Sequence, residues 1–147
     1  MATPEKINAQ GTIISISADG TTWTPVGCIT GWDLSASARA EIDTTCLVDT
    51  SKSFKFGLKD NGTLSIDYFY DPEGAGQKLM EASYGSDTAY HFQIEYPNLG
   101  TGGKGTIKVF EGYVIELSET GAVDEVLTAS ASIKISGDVT QTPPTTT

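Results

Sequence analysis

Residues 63–70, TLSIDYFY, alternate strictly: Leu64, Ile66, Tyr68 and Tyr70 face one way, and Ser65, Asp67 and Phe69 face the other. A period of two predicts a half-buried strand. Residues 88–96, TAYHFQIEY, repeat it, with Tyr90, Phe92, Ile94 and Tyr96 against His91, Gln93 and Glu95. In 123–136, Leu127, Ala129, Ala131, Ile133 and Ile135 oppose Thr128, Ser130, Ser132 and Lys134. In 104–119, Ile107, Val109, Tyr113, Ile115 and Leu117 share a predicted face that Glu111 interrupts. Residues 11–17, GTIISIS, form an opening strand, and Ala18-Asp19-Gly20 supplies a hairpin turn. TTWTPVG at 21–27 is its short partner; Pro25 suits an edge, and Gly31 suits a bulge in the strand after it. A further strand is expected over 38–47.

One helix interrupts this pattern. Asp71, Pro72 and Glu73 resemble an N-cap, a first helical position and a first-turn acid, and Gly85 resembles a C-cap. The helix is expected over about 72–84, with Ala75, Leu79 and Ser83 on one side. Gly74 and Gly76 weaken it, so packing must hold it. The sum is a mainly β fold: an antiparallel sandwich or partly closed barrel with one short helix. No internal repeat is visible.

The remaining long connection, residues 48–61, VDTSKSFKFGLKDN, exceeds the two to five residues that usually join neighbouring strands. Phe54, Phe56 and Leu58 alternate with Lys55 and Gly57, and Lys52 and Lys59 add charge. With Lys52, Lys55 and Lys59 against Asp49 and Asp60, the segment carries a net +1 on a chain of −10. Two readings stand. A cationic arm with one apolar side suits the anionic body of another copy. Alternatively the loop folds back over its own core. An arm used between copies makes a heterologous contact, which builds rings or filaments.

The 147 residues suit one domain, and the net charge of −10 argues against binding nucleic acid through phosphates. The expected division is an N-terminal arm over 1–10, a β domain over 11–136, and a Thr/Pro-rich tail over 137–147 that is disordered in isolation. The start holds no apolar signal segment and no stretch is long enough to span a membrane. Cys28 and Cys46 read as buried free thiols, with a disulfide as the alternative. No metal or cofactor is expected, because no ligand cluster or phosphate loop is present. The lone His91 lacks a nucleophile pattern and reads as a surface or groove residue. Glu41 and Asp43 share one strand face, and Asp67 joins them if it lies on the next strand. Glu41 with Asp67 could serve a small hydrolase, or the three could simply be solvated. Trp23 and Trp32 could stack a sugar in a monomeric glycan-binding module, or pack in a core or interface.

The order of these features resembles a family. The opening strand, Trp23 before VGCITGWDLS, EIDTTC, and the arm ending in GLKDNGTLSI are similar to the major tail tube proteins of long, non-contractile-tailed phages. The helix after Asp71-Pro72 and the closing strand pair extend the likeness over most of the chain. The resemblance implies a fold like the type VI secretion tube protein and no enzymatic activity. It implies hexameric rings stacked round a tape-measure protein, capped by tail-end proteins, in the virion tail after assembly in the host cytoplasm. Asp49, Lys52, Phe54, Lys55, Phe56, Leu58, Lys59 and Asp60 would make the contact between rings. Glu41, Asp43, Ser65, Asp67, Thr128, Ser130 and Ser132 would face the lumen. DNA would pass through that lumen without specific binding, repelled by carboxylates over about 8 Å at physiological salt.

Overall fold

A computed structural model describes residues 10–97 and 105–143. In chain order it contains β1 (Ile13–Ser17), β2 (Thr24–Pro25), β3 (Ile29–Ser35), β4 (Glu41–Asp43), β5 (Phe54–Phe56) and β6 (Thr63–Phe69). The helix α1 (Ala75–Tyr84), β7 (Tyr90–Glu95), β8 (Ile107–Thr120) and β9 (Thr128–Thr142) complete it. Seven strands form one antiparallel sheet in the order β2-β1-β7-β8-β9-β6-β3, and β4 and β5 form a separate pair.

The alternating segments form the centre of the sheet. Leu64, Ile66 and Tyr68 of β6 are buried, and they lie opposite Ile133, Ala131 and Ala129 of β9. Phe92 and Ile94 of β7 point into the same core, where Phe92 stacks on Phe110 at 5.8 Å. The sheet curls without closing into a barrel. Trp32 of β3 meets Tyr96, just beyond β7, at 5.7 Å between ring centroids, although β6, β9 and β8 separate those strands in the sheet. The bulge expected at Gly31 is present as a register shift between Ile29 and Gly31, and Pro25 does sit in an edge strand.

Five local expectations change, and the first is that the strand expected over 38–47 is confined to Glu41–Asp43. The face expected for β8 does not hold through its centre: Tyr113 and Ile115 are exposed, while Phe110, Gly112 and Val114 are buried. Register shifts at Val109/Glu111 and Val114/Glu116 are the cause, because one extra residue reverses which side chains face in. Leu127, expected on the core face of β9, precedes the strand and is half exposed. β9 runs on to Thr142 against β8, so residues 137–142 are strand rather than tail; 144–147, like the arm at 1–9, lie outside the described residues. Cys28 and Cys46 are free but exposed, one between β2 and β3 and the other beyond β4.

The helix begins at Ala75, three residues later than expected, and ends at Tyr84 as expected. The Asp71 carboxylate accepts the Glu73 N–H at 3.0 Å, so it closes the turn before the helix instead of capping it. Gln77 fixes the entry: its Oε1 accepts the Asp71 N–H and its Nε2 donates to Phe69 O. Gly76 allows close approach to β2, since a Cβ there would stand 2.1 Å from Pro25 O. Gln77, Met80 and Ser83 form the buried side, so of the face expected at Ala75, Leu79 and Ser83, Leu79 is only partly buried and Ala75 is exposed.

Candidate functional site

The long connection is half of a hairpin. β4 pairs with β5 as Glu41↔Phe56, Ile42↔Lys55 and Asp43↔Phe54. Hydrogen bonds from Thr44 N to Ser53 O and from Gly57 N to Ala40 O extend the stem. Side chains shape the distal end. Asp49 accepts the Cys46 N–H at 2.7 Å, and Thr45 Oγ1 accepts the Ser53 N–H at 2.9 Å. Thr45, through its hydroxyl and then its N–H, holds the Asp43 carboxyl below the ordinary carboxylate range. Arg39 lies over the Phe56 ring at 5.2 Å and donates from Nε to Gly57 O.

The arm's root is fastened to β9. Lys134 Nζ reaches both oxygens of Asp60 at 2.9 and 3.0 Å. That ammonium, followed by the Gly62 N–H, lowers the Asp60 pKa from its ordinary value. Asn61 Nδ2 donates to Gly137 O, and Ile135 N to Gly62 O. Gly62 sits at φ +79°, where a Cβ would stand 1.7 Å from Ser35 O, so the tight return into β6 requires glycine.

Beyond this root the arm does not fold back over its own core. Residues 35–60 are exposed except half-buried Gly57. Leu47 is 106% and Val48 89% exposed, and Phe54, Phe56 and Leu58 also face solvent. Its chemistry differs from the expectation. Pairing brings Arg39, Glu41 and Asp43 into the arm, so residues 37–60 hold four basic residues (Arg39, Lys52, Lys55, Lys59) and four acidic ones (Glu41, Asp43, Asp49, Asp60). The folded arm is neutral, not cationic. Phe54 and Phe56 share a face with Asp43 and Glu41, whereas Lys55 shares one with Ile42, so the apolar and charged sides are not separated as expected.

The expected polar face divides. Ser65↔Ser132, Asp67↔Ser130 and Phe69↔Thr128 are neighbours on β6 and β9, so five of its members lie together: Ser65, Asp67, Thr128, Ser130 and Ser132. Glu41 and Asp43 are not beside Asp67. Its neighbours are Gly31 and Ser130, because β3, not β4, pairs with β6. The register adds Asp33, opposite Ser65, and Glu116, opposite Ser132. The alternation of Asp33 and Ser35 with Trp32 and Leu34 carried the first signal; the β8 bulge hid the second. Ser118 and Ser130 share a hydrogen bond on this face.

The other candidates have ordinary surroundings. His91 is half-buried over Gly20, with its Nδ1 3.6 Å from Glu111 Oε1. Trp32 is half-buried against Tyr96, which occupies part of a ring that a sugar would need. Glu41 and Asp67 stand on different sheets. Among the described residues no group of His, Cys, Asp and Glu could hold a metal ion, and no helix is long and apolar enough to cross a membrane.

Solved structures share this architecture. The SPP1 tail tube protein superposes with a TM-score of 0.76 at 15% identity, over 94% of this chain and 80% of that one. The tail of an empty gene transfer agent particle, refined with C6 symmetry, gives 0.72 at 12% identity over 92% and 98%. Hcp1 from Salmonella typhimurium gives 0.51 at 11% identity over 88% and 91%. The fold is therefore one used by tail tube subunits. No curated protein matches the sequence. The family described as "Phage tail tube, TTP, lambda-like" matches residues 5–145, and the chain belongs to it. It is a structural component of the phage tail.

Proposed function

We propose that copies of this chain join into hexameric rings, that the rings stack round a tape-measure protein, and that DNA travels through the resulting bore during ejection. The observation that carries this reading is the arm: a rooted hairpin on which Leu47, Val48 and Leu58 are almost fully exposed and Phe54 and Phe56 about half exposed in their own subunit. Exposed apolar groups on a projecting hairpin suit a partner surface. The arm reaches a neighbouring ring through Lys52, Phe54, Lys55, Phe56 and Leu58, with Asp49 shaping its end and Lys59 and Asp60 near its root. Asp60 is engaged by Lys134 and acts as an anchor. Neutrality lets the arm approach an acidic neighbour without added repulsion.

Side-by-side joining uses the two sheet edges, β2 and β3, each of which has one side without a partner strand. The polar face of Ser65, Asp67, Thr128, Ser130 and Ser132, extended by Asp33 and Glu116, lines the bore. Carboxylates there repel phosphates and keep a passing duplex from sticking. Glu41 and Asp43 act in the arm. The role requires no catalysis, and assembly takes place in the host cytoplasm with tail-end proteins closing the tube.

Electron microscopy of the concentrated protein tests the reading. Tubes are expected from the parent chain, and folded subunits that do not stack from a variant in which residues 45–52 are replaced by an Asn-Gly turn. A parent chain that stays monomeric at all concentrations, or a shortened variant that grows normal tubes, overturns it.

A further inference from the structure

The β8–β9 turn is a second exposed apolar feature. Val123 is 90% exposed, and Val126 and Leu127 are each at least half exposed. The turn is set by Asp124 at φ 64° and by a hydrogen bond from Glu125 N to Ala122 O. Asp124 and Glu125 stand among the apolar residues, and no Lys or Arg occurs from 117 to 133. We infer that this turn receives the arm tip of the next copy. The inference rests on the stacked-ring reading and adds the identity of the acceptor.

Three observations favour a second copy as the occupant. The first is position. β6 leaves the arm's root at Thr63 and ends at Phe69, opposite Thr128 and beside the turn. Seven strand residues separate these ends by about 20 Å. Arm and turn therefore emerge from opposite ends of one strand. A donor and an acceptor at opposite ends give a head-to-tail contact that repeats in one direction. The second is reach: a limb from Ser37 to Val48 can extend up to about 35 Å. The third is charge. Residues 44–55 carry Lys52 and Lys55 against Asp49, whereas the turn carries two acids, Asp124 and Glu125, and no base. Leu47 and Val48 supply apolar surface to meet Val123 and Val126, and the lysines meet the acids at the rim.

Cys46 supplies a probe, because it is free and exposed next to Leu47. In a Cys28→Ser background, Val123→Cys is assembled into tubes and oxidised with copper phenanthroline. A non-reducing gel should show a ladder extending beyond dimers, because each copy links to one above and one below. Unassembled subunits should give no ladder. Tubes visible by microscopy that yield no ladder overturn the acceptor while leaving the arm reading intact. A parent chain that forms no tubes brings down the stacked-ring reading itself. A charge exchange supplies a second measurement if the cysteine variant does not assemble. Asp124→Lys with Glu125→Lys, or Lys52→Glu with Lys55→Glu, should each raise the critical concentration about tenfold, and their combination should largely restore it. No effect from either pair, or no recovery in combination, overturns the inference.

Discussion

Replacing Leu47 and Val48 with serine separates subunit stability from assembly. Both side chains are almost fully solvent-exposed in the subunit. Their loss should change folding stability by no more than about 0.5 kcal/mol, as for ordinary surface positions. For a chain of this size that is a melting-temperature shift of about 1–2 °C. Docked in a neighbour, each side chain would contribute about 1.5–3 kcal/mol if wholly buried. With half of that realised at an interface edge, the pair contributes about 1.5–3 kcal/mol per contact. Each 1.4 kcal/mol corresponds to tenfold in an equilibrium constant, so the critical concentration should rise about 10- to 100-fold. Sedimentation of polymer across a dilution series measures this concentration, and thermal unfolding of unassembled subunits measures stability. An unchanged critical concentration refutes the docking role. A melting temperature lowered by more than about 5 °C would show instead that these side chains support the subunit itself.

Gly76→Ala should destabilise the subunit by about 1–3 kcal/mol despite alanine's better helix propensity, because the new Cβ would meet backbone at Pro25; a urea midpoint equal to the parent's counts against that packing. The Asp60 pKa is depressed, chiefly by Lys134, so its contribution is complete above the ordinary carboxylate value and fades as pH falls through the depressed one. Asp60→Asn should remove that step from acid unfolding and loosen the arm's root, read as faster proteolysis within residues 37–60; identical acid unfolding curves would refute the anchor. Asp67→Lys with Glu116→Lys should leave tube formation intact but slow DNA delivery, whereas undiminished infectivity would place this face away from the bore.

The sequence was most readable where side-chain alternation and backbone pairing coincide. β6, β7 and β9 announce themselves by period two, and the helix ends where Gly85 predicts. The arm was only half visible. Its apolar residues and the Asp60-Asn61-Gly62 return stood out, but nothing local revealed that Glu41–Asp43 turns away from the sheet to pair with Phe54–Phe56. That pairing cancels the net positive charge of the arm, because it adds two acids and one arginine to it. The bulges in β8 left no compositional mark, so a strict period of two assigned Tyr113 and Ile115 to the wrong face. The end of β9 misled for another reason. Threonine-rich sequence resembles a tail in composition, yet β-branched residues suit a strand, and Val109, Lys108 and Ile107 of β8 offer backbone partners for Thr140, Gln141 and Thr142. The root contacts at Lys134 and Gly137 lie more than seventy residues from Asp60 and Asn61 in sequence and leave no local signal.

The charge distribution bears on how such a subunit can both stay soluble and polymerise. A net charge of −10 holds free copies apart, and a neutral arm places none of that excess at the projecting contact. On the proposed reading, repulsion is strongest when acidic bodies approach at random and weakest when an arm leads. The edges point the same way. β2 offers only two residues, and β3 carries a bulge at Gly31 and an outward carboxylate at Asp33, features that discourage indiscriminate strand pairing. Apolar side chains then act where the backbone has already fixed their approach: on a hairpin rooted through Asp60, Asn61 and Gly62. Attraction confined to a rooted projection, on a body that otherwise repels its copies, favours one mode of association over many, and a tube of uniform bore requires that selectivity.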